Sequence, residues 1–172
     1  MRRLALALLL ALAAPLAAQP AAPQAGPDVA SLTFGVFCAL QAMDQRPAPG
    51  TLSGWIHVPD TEIDFHWPDR QIVPAQIGLA FGVKSRLQPG LFLDGEMRVY
   101  RPGSRTPEVW TSSFTDISDQ FGFFRFDRED ELIPGIWRFE AWAGGEQLYA
   151  VTFEVVPAQA LPQIAQACGA IS

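Results

Sequence analysis

From residue 30 to 156, apolar residues alternate with polar ones in short runs, and the three-to-four spacing of an amphipathic helix is nearly absent. Period-two alternation belongs to half-buried strands, because successive side chains of a strand point to opposite faces. The runs that qualify are Leu32–Cys38, Leu52–Val58, Glu62–Trp67, Gln76–Lys84, Glu96–Arg101, Val109–Thr115, Phe121–Phe126, Ile136–Trp142 and Gln147–Val156. Between them stand Pro47-Ala48-Pro49-Gly50, Pro89-Gly90, Pro102-Gly103 and Pro134-Gly135. Proline presets φ and glycine admits positive φ, so each of these predicts a turn. Turn signals at this frequency predict an all-β sandwich or barrel, and the lack of strand–helix–strand alternation argues against a parallel sheet. After Pro157, the alanine- and glutamine-rich stretch Ala158–Ala167 predicts a short C-terminal helical tail leading to Cys168.

The last two runs allow the register to be argued. Trp137, Phe139 and Ala141 share one face of their run, and Tyr149, Val151, Phe153 and Val155 share one face of the next. The opposite face carries Arg138, Glu140 and Glu154, whose burial would be costly, so the two aromatic faces must lie on the same side. A two-residue turn at Gly144-Gly145 in an unbroken ladder would set Phe139 opposite Ala150 and mix the faces. A three-residue turn, Ala143-Gly144-Gly145, would set Phe139 opposite Tyr149, and a five-residue loop keeps the same parity. That parity is the expectation.

The stretch Leu132-Ile133-Pro134-Gly135-Ile136-Trp137-Arg138-Phe139, then Gly144-Gly145, then Phe153-Glu154-Val155-Val156, looks like the final hairpin of bacterial immunoglobulin-like sandwiches. With Phe34-Gly35-Val36, Phe81-Gly82-Val83 and the turn Arg101-Pro102-Gly103, the chain over about residues 31 to 156 resembles an uncharacterised family of exported bacterial proteins, a domain of unknown function. The resemblance implies an immunoglobulin-like antiparallel β-sandwich. It carries no catalytic or binding residues.

Composition adds compartment and excludes some partners. Arg2-Arg3, an unbroken apolar run Leu4–Ala14, Pro15 and the small residues Ala17-Ala18 form a secretory signal peptide over residues 1–18, with cleavage near Ala18. The apolar stretch is shorter than the roughly 20 residues a spanning helix needs, and no later window is long or apolar enough to span. The protein is therefore expected in the periplasm or outside the cell. Residues 19–30, rich in Pro, Ala and Gly, read as a disordered leader, and residues 31–172 as one sandwich domain with its tail. The net charge is −6, and removal of residues 1–18, which hold two arginines and no acid, brings it to −8. With Lys84 as the single lysine, a nucleic-acid partner is not expected. The two cysteines, Cys38 and Cys168, lie at opposite ends of the fold in an oxidising compartment, which favours a bridge between them.

The search for chemistry yields little. No G-x-S-x-G elbow and no phosphate-cradling loop is present, so no catalytic residue and no organic cofactor is expected. Asp116, Asp119, Asp127, Glu129, Asp130 and Glu131 flank one run as a calcium-like acidic group, but no D-x-[DN]-x-[DN]-G loop accompanies them and Arg125 and Arg128 interleave. Five tryptophans, Trp55, Trp67, Trp110, Trp137 and Trp142, raise a carbohydrate-binding alternative beside ordinary cross-strand packing. If Glu62–Trp67 is a strand, Glu62, Asp64 and His66 share its exposed face, and His57 from the preceding run could join them as ligands of a divalent metal. The same alternation is what any half-buried strand requires, so a solvated face explains these residues equally. The reading that follows is a non-enzymatic interaction module of the cell envelope with another envelope protein as partner. Its alternatives are a metal-binding module or metal-dependent enzyme using the His57–Asp69 region, or a carbohydrate-binding module.

Overall fold

A computed structural model of the chain describes residues 20–168, and the expected signal peptide lies outside them. The strands are β1 (Gln24–Ala25), β2 (Val29–Cys38), β3 (Asp44–Pro47), β4 (Trp55–Val58), β5 (Trp67–Pro68), β6 (Ile72–Ala75), β7 (Leu79–Leu87), β8 (Phe92–Tyr100), β9 (Glu108–Thr115), β10 (Gln120–Arg125), β11 (Gly135–Ala143) and β12 (Glu146–Pro157). One sheet runs β1-β12-β11-β8-β9, the second runs β10-β7-β2-β5, and β3 pairs with β4 alone. All ladders are antiparallel except a short parallel contact of β6 with the C-terminal half of β12. The fold is thus an all-β sandwich, as the spacing of strands and turns predicts. Among the described residues no helix is long and apolar enough to cross a membrane.

The core between the sheets gathers around Phe81 of β7. Its ring stands edge-on to Trp137, Phe139 and Phe153 of the facing sheet, with centroids 5.6, 5.5 and 5.1 Å away. The β11–β12 hairpin keeps the expected parity: Trp137 faces Phe153, Phe139 faces Val151 and Ala141 faces Tyr149. The device differs from both turns considered. The turn has two residues, Gly144 and Gly145 at φ of 58° and 86°, and a register shift just beyond Ala141 absorbs the odd residue. A bulge thus restores the faces that a two-residue turn alone would have mixed. Leu148, the extra residue, is buried and joins the core.

The expected polar face of β11 needs a correction. Glu140 is only 3% exposed, enclosed by an Arg138 guanidinium at 2.8 Å and the Trp142 indole N–H at 2.7 Å. Burial of a carboxylate is tolerated because its oxygens are taken up by donors on the same strand.

Two further expectations change. The leader is not disordered in residues 20–30: Gln24 and Ala25 pair with Ala150 and Tyr149, and the Gly26 N–H donates to the Leu148 carbonyl. The outer edge of β12 offers backbone groups that an extended Pro-rich segment can satisfy. The expected strand Glu62–Trp67 reduces to Trp67–Pro68 on β2. Residues 59–66 instead cross the outer face of the second sheet as a covering segment, burying Ile63 against Phe37 and Ala80, with Phe65, Phe121 and Phe123 around them. Gly35 makes room for it, since a Cβ there would lie 2.4 Å from the Trp67 carbonyl oxygen and 3.0 Å from the Phe65 ring. Alternation reports which side of a segment is buried, and Ile63 and Phe65 obey it without a ladder partner.

At the other end, a 3₁₀ turn (Ala158–Ala160) and α1 (Pro162–Ala165) form the tail, with Ile164 buried. Cys168 and Cys38 are bonded, their Cα atoms 5.3 Å apart, tying the tail to the end of β2.

Candidate functional site

The proposed metal row does not assemble. His57 on β4 turns to Asp127, with Nε2 and the carboxylate 2.7 Å apart. His66 accepts a hydrogen bond from the Cys38 N–H at 3.4 Å through Nδ1. Glu62 and Asp64 approach the Lys84 ammonium at 3.8 and 3.6 Å instead. Among the described residues no group of three or more histidine, cysteine or acidic side chains could hold a metal ion. The covering segment explains this: without a ladder, Glu62, Asp64 and His66 are held in no common row. Lys84, over the Phe65 and Phe121 rings at 5.9 and 5.5 Å, draws the two acids toward the sheet.

The acidic group of the calcium reading is dispersed as well. Asp116 accepts the Gly90 N–H, and Asp119 pairs with Arg86. Asp130 pairs with Arg128, whose hydrogen bond holds its carboxyl below the usual carboxylate range. Glu131 accepts the backbone N–H groups of Asp127 and Arg128 at 2.8 and 3.1 Å. Of the tryptophans, Trp137 is core and donates to the Ile133 carbonyl, and Trp142 is covered by the Arg98 guanidinium at 4.4 Å.

Trp55 and Trp110, by contrast, meet at one cleft of about 80 Å³ between the β3–β4 hairpin and the edge where β9 and β10 come together. The hairpin reaches that edge because polar links hold it there. Arg46 donates to the Thr111 carbonyl at 3.0 Å, the Leu52 N–H to Glu108 at 3.0 Å, and the Val109 N–H to the Gly50 carbonyl at 3.0 Å. Arg101 and Glu108 form an ion pair on the cleft wall, and Arg125 reaches Asp127 at 2.5 Å. The Arg101 guanidinium also lies over Phe124 and Trp137, at 4.7 and 5.4 Å from the ring centres.

Two features limit what this cleft can do. Asp127 as a carboxylate can only accept, so the His57 Nε2 carries the proton of their bond, and His57 Nδ1 is buried without a partner. The hydroxyls of Thr51 and Ser53 are engaged by backbone, donating to Ala48 and Trp55 carbonyls at 2.8 and 2.6 Å. A histidine flanked by an acid and near two hydroxyls therefore lacks the base-to-nucleophile contact that acyl transfer requires.

Of the residues that build the cleft, sequence reasoning singled out His57 as a metal ligand, Trp55 and Trp110 as sugar-stacking rings, and Asp127 and Glu131 as part of an acidic group. It missed Arg101 and Glu108 as a pair: seven residues apart across a Pro-Gly turn, they carry no spacing signal beyond that turn.

Residues 26–155 match the family described as "Domain of unknown function (DUF3859)". The chain belongs to that family. The resemblance read from the strand and turn motifs is met by it. Among solved structures, the chain is similar to an immunoglobulin-like protein from Pseudomonas aeruginosa, at 16% identity and a TM-score of 0.46, over 79% of this chain and 98% of that one. No curated protein matches it.

Proposed function

We propose that the protein is an exported, non-enzymatic binding module that meets a protein of the bacterial cell envelope through the hairpin cleft. The composition of the cleft carries this reading. Half-exposed indoles of Trp55 and Trp110 stand beside arginine side chains whose charges are paired, the mixture of aromatic and guanidinium groups that enriches protein interfaces. The closed Nδ1 of His57 and the engaged hydroxyls of Thr51 and Ser53 weigh against catalysis at the same place. Export rests on the leader Arg2–Ala18.

A photo-crosslinking residue at Leu52, 77% exposed beside the cleft, is compared in the native cell with one at Ile72, 38% exposed on β6 across the sandwich. A defined adduct from position 52 and none from 72 supports the reading, and equal labelling or none from 52 overturns it. N-terminal sequencing of the protein from the envelope fraction should begin just after Ala18. An uncleaved chain in the cytoplasm would remove the export claim.

A further inference from the structure

The donors and acceptors of the cleft are unequally committed. Each of its carboxylates is taken: Glu108 by Arg101 Nε and the Leu52 N–H, Asp127 by His57 and Arg125, and Glu131 by two backbone N–H groups. The guanidinium of Arg101 is not. It donates to Glu108 through Nε, and among the described residues no acceptor takes a hydrogen bond from its two terminal nitrogens. Its side chain is 11% exposed, and the Phe124 and Trp137 rings beneath it fix its plane. A guanidinium held this way is already oriented before a ligand arrives and loses little freedom on binding. Beside it, Trp55 and Trp110 offer apolar ring surface to the same cavity.

We infer that the hairpin cleft is a carboxylate site, in which Arg101 takes the two oxygens of a carboxylate whose apolar body rests against Trp55 and Trp110. This rests on the cleft being the binding surface. A planar carboxylate matches the parallel N–H groups of a guanidinium, whereas a neutral carbonyl can engage only one of them well. The cavity of about 80 Å³ is smaller than one that holds a benzene ring, so it has room for a carboxylate end group and not for a long segment. Two sources present this chemistry, the C-terminus of a partner polypeptide and a small free acid.

Calorimetry of the chain from Gln19 onward with N-acetyl-phenylalanine, and with a hexapeptide ending in phenylalanine, each as free acid and as amide, tests the inference. Free acids should bind and the amides at least tenfold more weakly. A peptide acid binding tenfold or more above the N-acetyl amino acid identifies a polypeptide C-terminus as the source, and equal affinities identify a small acid. Arg101→Gln should lose the preference for acid over amide. Because that variant leaves Glu108 unpaired, Arg101→Gln with Glu108→Gln serves as the folded comparison, checked by its circular dichroism. Acid and amide binding alike, or acid binding retained in the folded double variant, would overturn the carboxylate inference while the crosslink at Leu52 still stands. Absence of binding by all four probes at millimolar concentration would overturn it too, and the crosslinking result then reads the interaction role separately.

Discussion

The two faces of the β10-β7-β2-β5 sheet are both covered, but by different means. Its inner face meets another sheet, and there Phe81 touches aromatic rings held in register by the ladders of β11 and β12. Its outer face meets residues 59–66, which bury Ile63 and half-bury Phe65 with no ladder of their own. A ladder fixes many side chains at once, whereas a covering segment is held by a few contacts, each with its own loss of chain entropy. The outer layer should therefore open before the core does, as a local unit.

Phe81→Ala strikes the inner face at its centre. A cavity in a fully buried aromatic cluster should cost about 3–5 kcal/mol, read as a fall in the urea midpoint at unchanged slope. A loss as small as that at the outer face would end the distinction. Replacing Cys38 and Cys168 by serine removes a closure across 130 residues, and about 2–4 kcal/mol should go with it. The bridge is attached at the end of β2, where the Cys38 N–H also donates to His66 of the covering segment, so both layers should weaken.

Phe65→Ala, at a half-buried position against Gly35, should cost about 1–2 kcal/mol. Its sharper signature is hydrogen exchange: amides of residues 59–66 should quicken while those of β11 and β12 keep their protection.

Alkaline pH separates the layers in another way. Tyr149 is fully buried in the core, and burial pushes its hydroxyl up from the usual value of 10.0. The folded chain then keeps a proton that the unfolded chain releases, so this contribution is complete below pH 10 and is lost as the pH climbs beyond it. Tyr149→Phe should flatten that decline, and an unchanged alkaline limb would contradict the assignment. The smallest change belongs to the rim of the outer layer. Glu62→Gln with Asp64→Asn removes two acids that are 80% and 97% exposed, and should shift stability by under about 1 kcal/mol, less still in high salt.

Much of the sandwich was readable from alternation and turn residues, because strand faces and tight turns are local demands on the side chain and on φ. Eight of the nine runs overlap substantial strands, and the parity of the last hairpin follows from setting its two aromatic faces on one side. What alternation could not tell was whether a segment finds a backbone partner. Glu62–Trp67 alternates as a strand does, yet it lies on Gly35 as cover, and the acids and His66 fall out of line with His57. Asp44–Pro47 and Ile72–Ala75 became strands without apolar alternation because a neighbouring edge was open to them.

The amino-acid sequence by itself determined the all-β class, the position of most strands and turns, the faces of the β11–β12 hairpin and the pairing expected of Cys38 with Cys168, since each depends on short-range geometry or on a count of two. Only the tertiary structure decided that Arg101 and Glu108 share a cleft with Trp55 and Trp110, and that His57 meets Asp127 seventy residues away. Those contacts depend on how a hairpin lies across the edge of two sheets, and long-range packing leaves no period in the chain to read.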